Sequence, residues 1–189
     1  MSELLLFHHA QGLTSGVVAF ADALREAGHT VHTPDLYHGK TFDTLDDGIA
    51  YARQLGFGNI AQSGVDAARN LSTALVYAGF SLGVSPAQQL AQTRPGARGA
   101  LLFHGCLPVS EFGASWPSAV PVQVHAMDHD PFFEEDAGAA QALVKDAPLG
   151  ELFLYRGDQH LFTDRSLSSY DEAATSLLMR RVLEFLKRN

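Results

Sequence analysis

Gly79-Phe80-Ser81-Leu82-Gly83 is a G-x-S-x-G pentapeptide, the spacing that sets a serine on a sharp strand-to-helix turn. Such a turn is strained, and glycines two residues to either side remove the Cβ atoms that would collide with it. A hydroxyl held there can attack a carbonyl carbon while the first amides of the next helix face the oxygen that gains charge. The five residues alone recur by chance, so their flanks matter. Ala74-Leu75-Val76-Tyr77-Ala78 reads as a buried strand ending at the motif, and Leu82 to Arg94 reads as a helix closed by Pro95. Pro86 is tolerable in its first turn.

A serine hydroxyl is a poor nucleophile until a base takes its proton. Where such an elbow carries the nucleophile, acid and base follow in the chain order Ser, acid, His. Nine histidines are available. His160 lies after the last strand candidate and before the last helix, which is the place for the base. His29, His32, His104 and His125 are expected to be hydrogen-bonded structural histidines. Two acids follow the strand candidate Pro121 to Ala126: Asp128 and Asp130. Either could orient an imidazole; Asp130 is preferred because Asp130-Pro131 opens the loop to the next helix. Asp158 is too near His160 in the chain for that role.

Strands are expected over Leu4 to His8, Thr30 to Thr33, Ala74 to Ala78, Ala100 to His104, Pro121 to Ala126 and Glu151 to Tyr155. Several are near-continuous apolar runs, as in strands covered on both faces. Ser15 is a cap for a helix with Val18, Ala21 and Leu24 on one face, ended by Gly28. Weaker helical stretches span Leu45 to Gly56 and Ile60 to Leu71. Glu134, Glu135 and Asp136 form an acidic first turn ahead of Ala139, Leu143 and Val144. Ser169 and Glu172 make a capping box for a final helix facing inward through Ala174, Leu177, Leu178, Val182 and Phe185. The pattern is about six strands and six helices in strict alternation, the signature of βα units around a parallel sheet. Ligands then bind beyond the carboxyl ends of the strands.

The 189 residues fit a single domain over 1–189, and 46% hydrophobic against 18% charged residues describes a folded chain. A net charge of −8 argues against nucleic acid or an anionic membrane as partner. No apolar stretch is long enough to span a bilayer, and the N-terminus lacks a signal-peptide pattern. The single cysteine, Cys106, excludes an internal disulfide and reads as a buried, inert thiol in a cytoplasmic protein. No metal site is expected: His8 and His9 point to opposite strand faces, and His125, Asp128 and His129 have no metal-motif spacing.

Gly12, Pro34-Asp35-Leu36-Tyr37, the elbow, His125 to Pro131, and His160-Leu161-Phe162 follow one another over nearly the whole chain. With these blocks the sequence resembles the dienelactone hydrolase family of the α/β-hydrolase superfamily. The elbow belongs to the whole superfamily; the Pro-Asp-Leu-Tyr and His-x₄-Asp-Pro blocks are more specific to this branch. The resemblance implies a three-layer α/β-hydrolase fold, a mostly parallel central sheet with helices on both faces and no large lid domain. It puts Ser81 at the nucleophile, Asp130 at the acid and His160 at the base, with the amides of Ala10 and Leu82 as oxyanion hole and no cofactor. The family's founding activity uses a cysteine nucleophile met by a glutamate; here those positions hold Ser81 and His9. The arginines that bind a dienelactone carboxylate are not evident.

The expected activity is therefore hydrolysis of a small ester, lactone or thioester through an acyl-enzyme, in a monomer or homodimer. Tyr37, Phe112, Trp116, Phe132, Phe133 and Phe162 fall in loops on the catalytic edge and, with His9, are expected to wall the substrate site. Two other functions fit the same residues: a non-catalytic binding protein on this scaffold, and an acyltransferase that delivers the acyl group to an acceptor other than water.

Overall fold

The computed structural model describes residues 1–189. Six strands form one sheet: β1 (Glu3–Phe7), β2 (Thr30–His32), β3 (Val76–Phe80), β4 (Gly99–Phe103), β5 (Val122–Met127) and β6 (Gly150–Tyr155). Their spatial order is β2-β1-β3-β4-β5-β6, and every neighbouring pair is parallel. Six α-helices cover it: α1 (Ser15–Glu26), α2 (Leu45–Leu55), α3 (Phe57–Ala67), α4 (Val84–Thr93), α5 (Pro131–Asp146) and α6 (Glu172–Arg188).

The period of two along each strand explains the three layers. Leu4 and Leu6 pack with α1 and α6 through Val17, Phe20, Leu24, Leu178 and Val182. Leu5 and Phe7, between them in sequence, pack on the opposite face with Ala52, Ile60, Leu90 and Leu143 from α2, α3, α4 and α5. All five residues of β3 and of β4 are buried, as both-sided cover requires.

The alternation is not strict. α2 and α3 follow one another between β2 and β3, divided at Gly56, whose φ of 87° ends one helix and starts the next. β4 and β5 are joined without an α-helix, only through a single 3-10 turn at Val109–Glu111. Helix caps also differ by a residue or two. Thr14, not Ser15, caps α1, its hydroxyl accepting from Val17 N–H, and Asp171, not Ser169, caps α6, accepting from Ala174 N–H. α1 is rotated from the expected face: Val17, Phe20, Ala21 and Leu24 are buried and Val18 is exposed.

β1 connects outward to β2, whereas β3 leads the other way to β4, so the chain reverses its progress across the sheet between β1 and β3. Such a switch point opens a crevice at the carboxyl ends of the strands. The elbow follows β3 directly.

Candidate active site

Ser81 has φ of 48°, left-handed backbone that a side-chain-bearing residue adopts at a cost of order 1–3 kcal/mol. The elbow glycines make that conformation possible. A Cβ at Gly79 would strike the Gly83 carbonyl, and one at Gly83 would stand 2.6 Å from Phe7 O and 2.7 Å from His8 O. The turn is thus pressed between β3 and the end of β1. Gly79→Ala is expected to destabilise the protein by about 1–3 kcal/mol, read as a lower urea midpoint with an unchanged m-value. A midpoint equal to wild type would show that the turn has room.

Ser81 continues through a 3-10 turn (Ser81–Gly83) into α4. Its hydroxyl lies 3.0 Å from His160 Nε2, and His160 Nδ1 lies 2.7 Å from Asp130 Oδ2. A carboxylate only accepts, so Nδ1 carries the proton and donates to Asp130, which leaves Nε2 to accept from Ser81 Oγ–H. Asp130 is fully buried and His160 nearly so. Three groups separated by 30 and 79 residues along the chain therefore meet in one hydrogen-bonded line.

The local reason lies in α5. Asp130 is its N-cap and Pro131 its first residue, so Asp130 Oδ1 accepts from Phe132 N–H at 2.9 Å while Oδ2 faces the imidazole. One oxygen fixes the carboxylate, the other holds the ring. Asp128 is engaged elsewhere: its Oδ1 accepts from Gly157 N–H at 3.0 Å and lies 2.7 Å from His129 Nδ1, bonds that hold its pKa below the ordinary value.

A second histidine–carboxylate pair stands beside the first. Asp164 is buried, and Gln11 N–H donates to His9 Nδ1, so His9 Nε2–H donates to Asp164 Oδ2 at 2.8 Å. Thr14 Oγ–H donates to the same oxygen, and Ser166 donates to Oδ1 through both its N–H and its hydroxyl. Burial pushes the carboxyl up, but hydrogen bonds from His9, Ser166 and Thr14 outweigh it and bring its pKa down to about 2. Gly16 is required beneath it, because a Cβ there would overlap Asp164. This pair ties the loop after β1 to the loop that carries His160. Within the first loop, the Ala10 N–H is buried and donates to no acceptor in the protein. A Cβ on Gly48 of α2 would collide with the Ala10 carbonyl, so that backbone is held in place from behind.

A cavity of about 710 Å³ opens over Ser81 and His160. Its wall comes from the start of α3 (Phe57, Ala61), the elbow and α4 (Leu82, Val84), the β4–β5 connection (His104 to Leu107, Phe112) and α5 (Phe132, Asp136). Of the expected wall residues Phe112 and Phe132 line it, the Phe132 ring centroid 4.7 Å from that of His160, while Phe133 is buried in the core. His9, Tyr37, Trp116 and Phe162 do not line it; all are buried. His9 is taken by Asp164, Trp116 Nε1–H donates to Val120 O, and Tyr37 and Phe162 complete the two cores.

The remaining histidines divide cleanly. His8 accepts from Leu36 N–H and so anchors the Pro-Asp-Leu-Tyr turn, while burial lowers its pKa to about 4. His125 lies between Tyr155 and Gln123, and burial lowers it to about 3. His104 is buried against His160 and Phe162 and shares a 2.8 Å hydrogen bond with Thr163 Oγ1; burial, with the neighbouring His160, holds its pKa well below the ordinary value. The Cys106 thiol borders the cavity but is pushed up to about 12 by burial and the Asp136 charge, so it is not a nucleophile at neutral pH. No group of three His, Cys, Asp or Glu side chains is placed to hold a metal ion, and no helix is long and apolar enough to cross a membrane.

A parallel sheet covered on both faces, with an elbow after its third strand and a histidine before its last helix, defines the α/β-hydrolase fold. Residues 3–189 match the model of the dienelactone hydrolase family, and the chain belongs to that family. No curated protein matches it in sequence. Among solved structures, a dienelactone hydrolase-like promiscuous phosphotriesterase from metagenomic libraries is similar with a TM-score of 0.74 and 19% identity, over 100% of this chain and 86% of that one. The dienelactone hydrolase of Anabaena variabilis gives 0.69 and 17%, over 100% and 86%. A protein of the α/β hydrolase superfamily from Xanthomonas campestris gives 0.69 and 24%, over 100% of both chains. At such identities the likeness concerns the fold.

Proposed function

We propose that this protein is a serine hydrolase that cleaves small esters, lactones or thioesters through an acyl-enzyme. The observation that carries the reading is the unbroken line of hydrogen bonds from Ser81 Oγ through His160 to the buried Asp130 carboxylate. Ser81 attacks the carbonyl carbon as His160 Nε2 takes its proton, and Asp130 steadies the imidazolium that forms. The carbonyl oxygen, now negative, accepts from the amides of Ala10 and Leu82; the free donor on Ala10 supports that assignment. The bond to the leaving alcohol or thiol breaks as His160 returns the proton to it. Water then repeats the cycle on the acyl-serine, giving the acid and restoring Ser81.

The apolar part of the cavity suits an acyl chain, and its position over Ser81 fits a small substrate. A fluorophosphonate probe tests the reading directly. Intact-mass and peptide analysis is expected to find one adduct on Ser81, formed in parallel with loss of p-nitrophenyl ester hydrolysis. Hydrolysis that continues at full rate after Ser81 is completely labelled, or that is absent from the start, would refute it. Added alcohols or thiols that capture most of the acyl group would reassign the protein as a transferase.

A further inference from the structure

The cavity carries a charge pattern that ester hydrolysis does not require. Glu111 from the β4–β5 connection and Glu135 and Asp136 from α5 line it, while none of the chain's 13 lysines and arginines does. Its other large side chains include three aromatics, Phe57, Phe112 and Phe132, of which Phe57 and Phe132 are 49% and 47% exposed. Helix stability accounts for Glu134, which sits in the first turn of α5. Glu135 and Asp136 lie past that turn, where the dipole effect has faded.

Asp136 lies beside the elbow. Its Oδ2 accepts from Cys106 N–H at 3.1 Å, and a Cβ at Gly105 would stand 3.3 Å from that oxygen and 3.8 Å from Ser81 Cα. Partial burial raises its pKa from the ordinary value, with the Cys106 amide opposing and the Glu135 charge adding. A carboxylate desolvated in this way is stabilised by an incoming cation. Carboxylates set among open aromatic faces are the composition that receives quaternary ammonium groups, and a cavity of one sign concentrates the opposite sign and repels its own.

We propose that the cavity selects cationic acyl substrates: esters or thioesters whose acyl chain ends in an ammonium group, seated against Asp136, Glu135 and the faces of Phe112 and Phe132. Anionic acyl groups, including the carboxylate-bearing lactones that gave the family its name, are disfavoured by three like charges. This rests on the serine-hydrolase reading. The ammonium group takes no part in bond making; the ester bond breaks and water adds as in the cycle above.

The test uses three p-nitrophenyl esters of matched length. One carries 4-(trimethylammonio)butyrate, one its uncharged isostere 5,5-dimethylhexanoate, and one is the glutarate monoester. Rates are kcat/KM divided by each ester's spontaneous hydrolysis. The cationic ester is expected to exceed the neutral one tenfold or more, and the neutral to exceed the anionic. The cationic advantage is expected to shrink severalfold in Asp136→Asn and in 0.5 M NaCl. Glu135→Gln, at an exposed position, is expected to lower the same ratio without touching the Cys106 contact. A cationic-to-neutral ratio below threefold, or an anionic ester that is fastest, overturns the inference and leaves the serine hydrolase standing. Hydrolysis of none of the three defeats both.

Discussion

Asp130→Asn is expected to lower kcat for a small ester by about 10⁴-fold while the protein stays folded. The Asp130 side chain makes two contacts that an amide can satisfy only in part. Asparagine still caps α5, because its carbonyl oxygen can accept from Phe132 N–H in place of Oδ1. The atom facing His160 Nδ1 then becomes the amide nitrogen, a donor, which favours the tautomer with its proton on Nε2. That proton faces Ser81 Oγ, and the base is lost. Asp128→Asn is the control, since its bonds run to Gly157 and His129; kcat is expected to stay within about threefold of wild type. Steady-state kinetics with circular dichroism on both variants checks this. A large loss in Asp128→Asn with little in Asp130→Asn would move the orienting acid one turn of the loop back.

Asp164→Ala carries the largest expected loss of stability, about 3–5 kcal/mol. Its removal leaves the His9 ring N–H, the Thr14 and Ser166 hydroxyls and the Ser166 amide without their acceptor beneath buried backbone. For a chain of this length that is a fall in Tm of roughly 10 °C. The same carboxylate predicts a pH signature. Its folded pKa of about 2 lies below its ordinary 3.8, so its stabilisation is complete above pH 3.8 and is lost as pH falls through 2. The shift corresponds to about 2 kcal/mol for this buried group. The stability gap between wild type and Asp164→Asn is therefore expected to be constant from pH 7 to 5 and to close between about pH 4 and 2. A gap that closes already above pH 5 would mean that the carboxylate is not held ionised by these donors.

The elements that hold the reacting groups were legible because each leaves a local mark. G-x-S-x-G is steric, Asp-Pro before an acidic helix start is a cap signal, and a lone histidine between the last strand and last helix is fixed by chain order. The four inner strands, β1, β3, β4 and β5, were readable as mostly apolar runs because both sheet faces are covered there. Strict alternation conflicted with those same readings: two helical stretches, Leu45 to Gly56 and Ile60 to Leu71, already fell between the second and third strands and none between the fourth and fifth, and the φ of Gly56 only fixes where the two helices divide. The cavity wall was least legible. His9 and Phe162 lie within two residues of site groups in the chain yet are buried, His9 held by Asp164 and Phe162 packed in the core; Asp136 and Glu135, read as dipole acids, face the cavity instead. Asp164 gave no sign of its role in the sequence, because beyond Ser166 its partners His9 and Thr14 stand 155 and 150 residues away.

That separation has a consequence for biosynthesis. The chain emerges from the ribosome with its first loop and Ser81 long before residues 160–166, so for most of translation the Ala10 segment lacks the carboxylate that anchors His9. The two loops are thus joined only at the end of synthesis, by the docking of the last sixth of the polypeptide. A product of premature termination before Asp164 carries Ser81 without the brace that ties the two loops together.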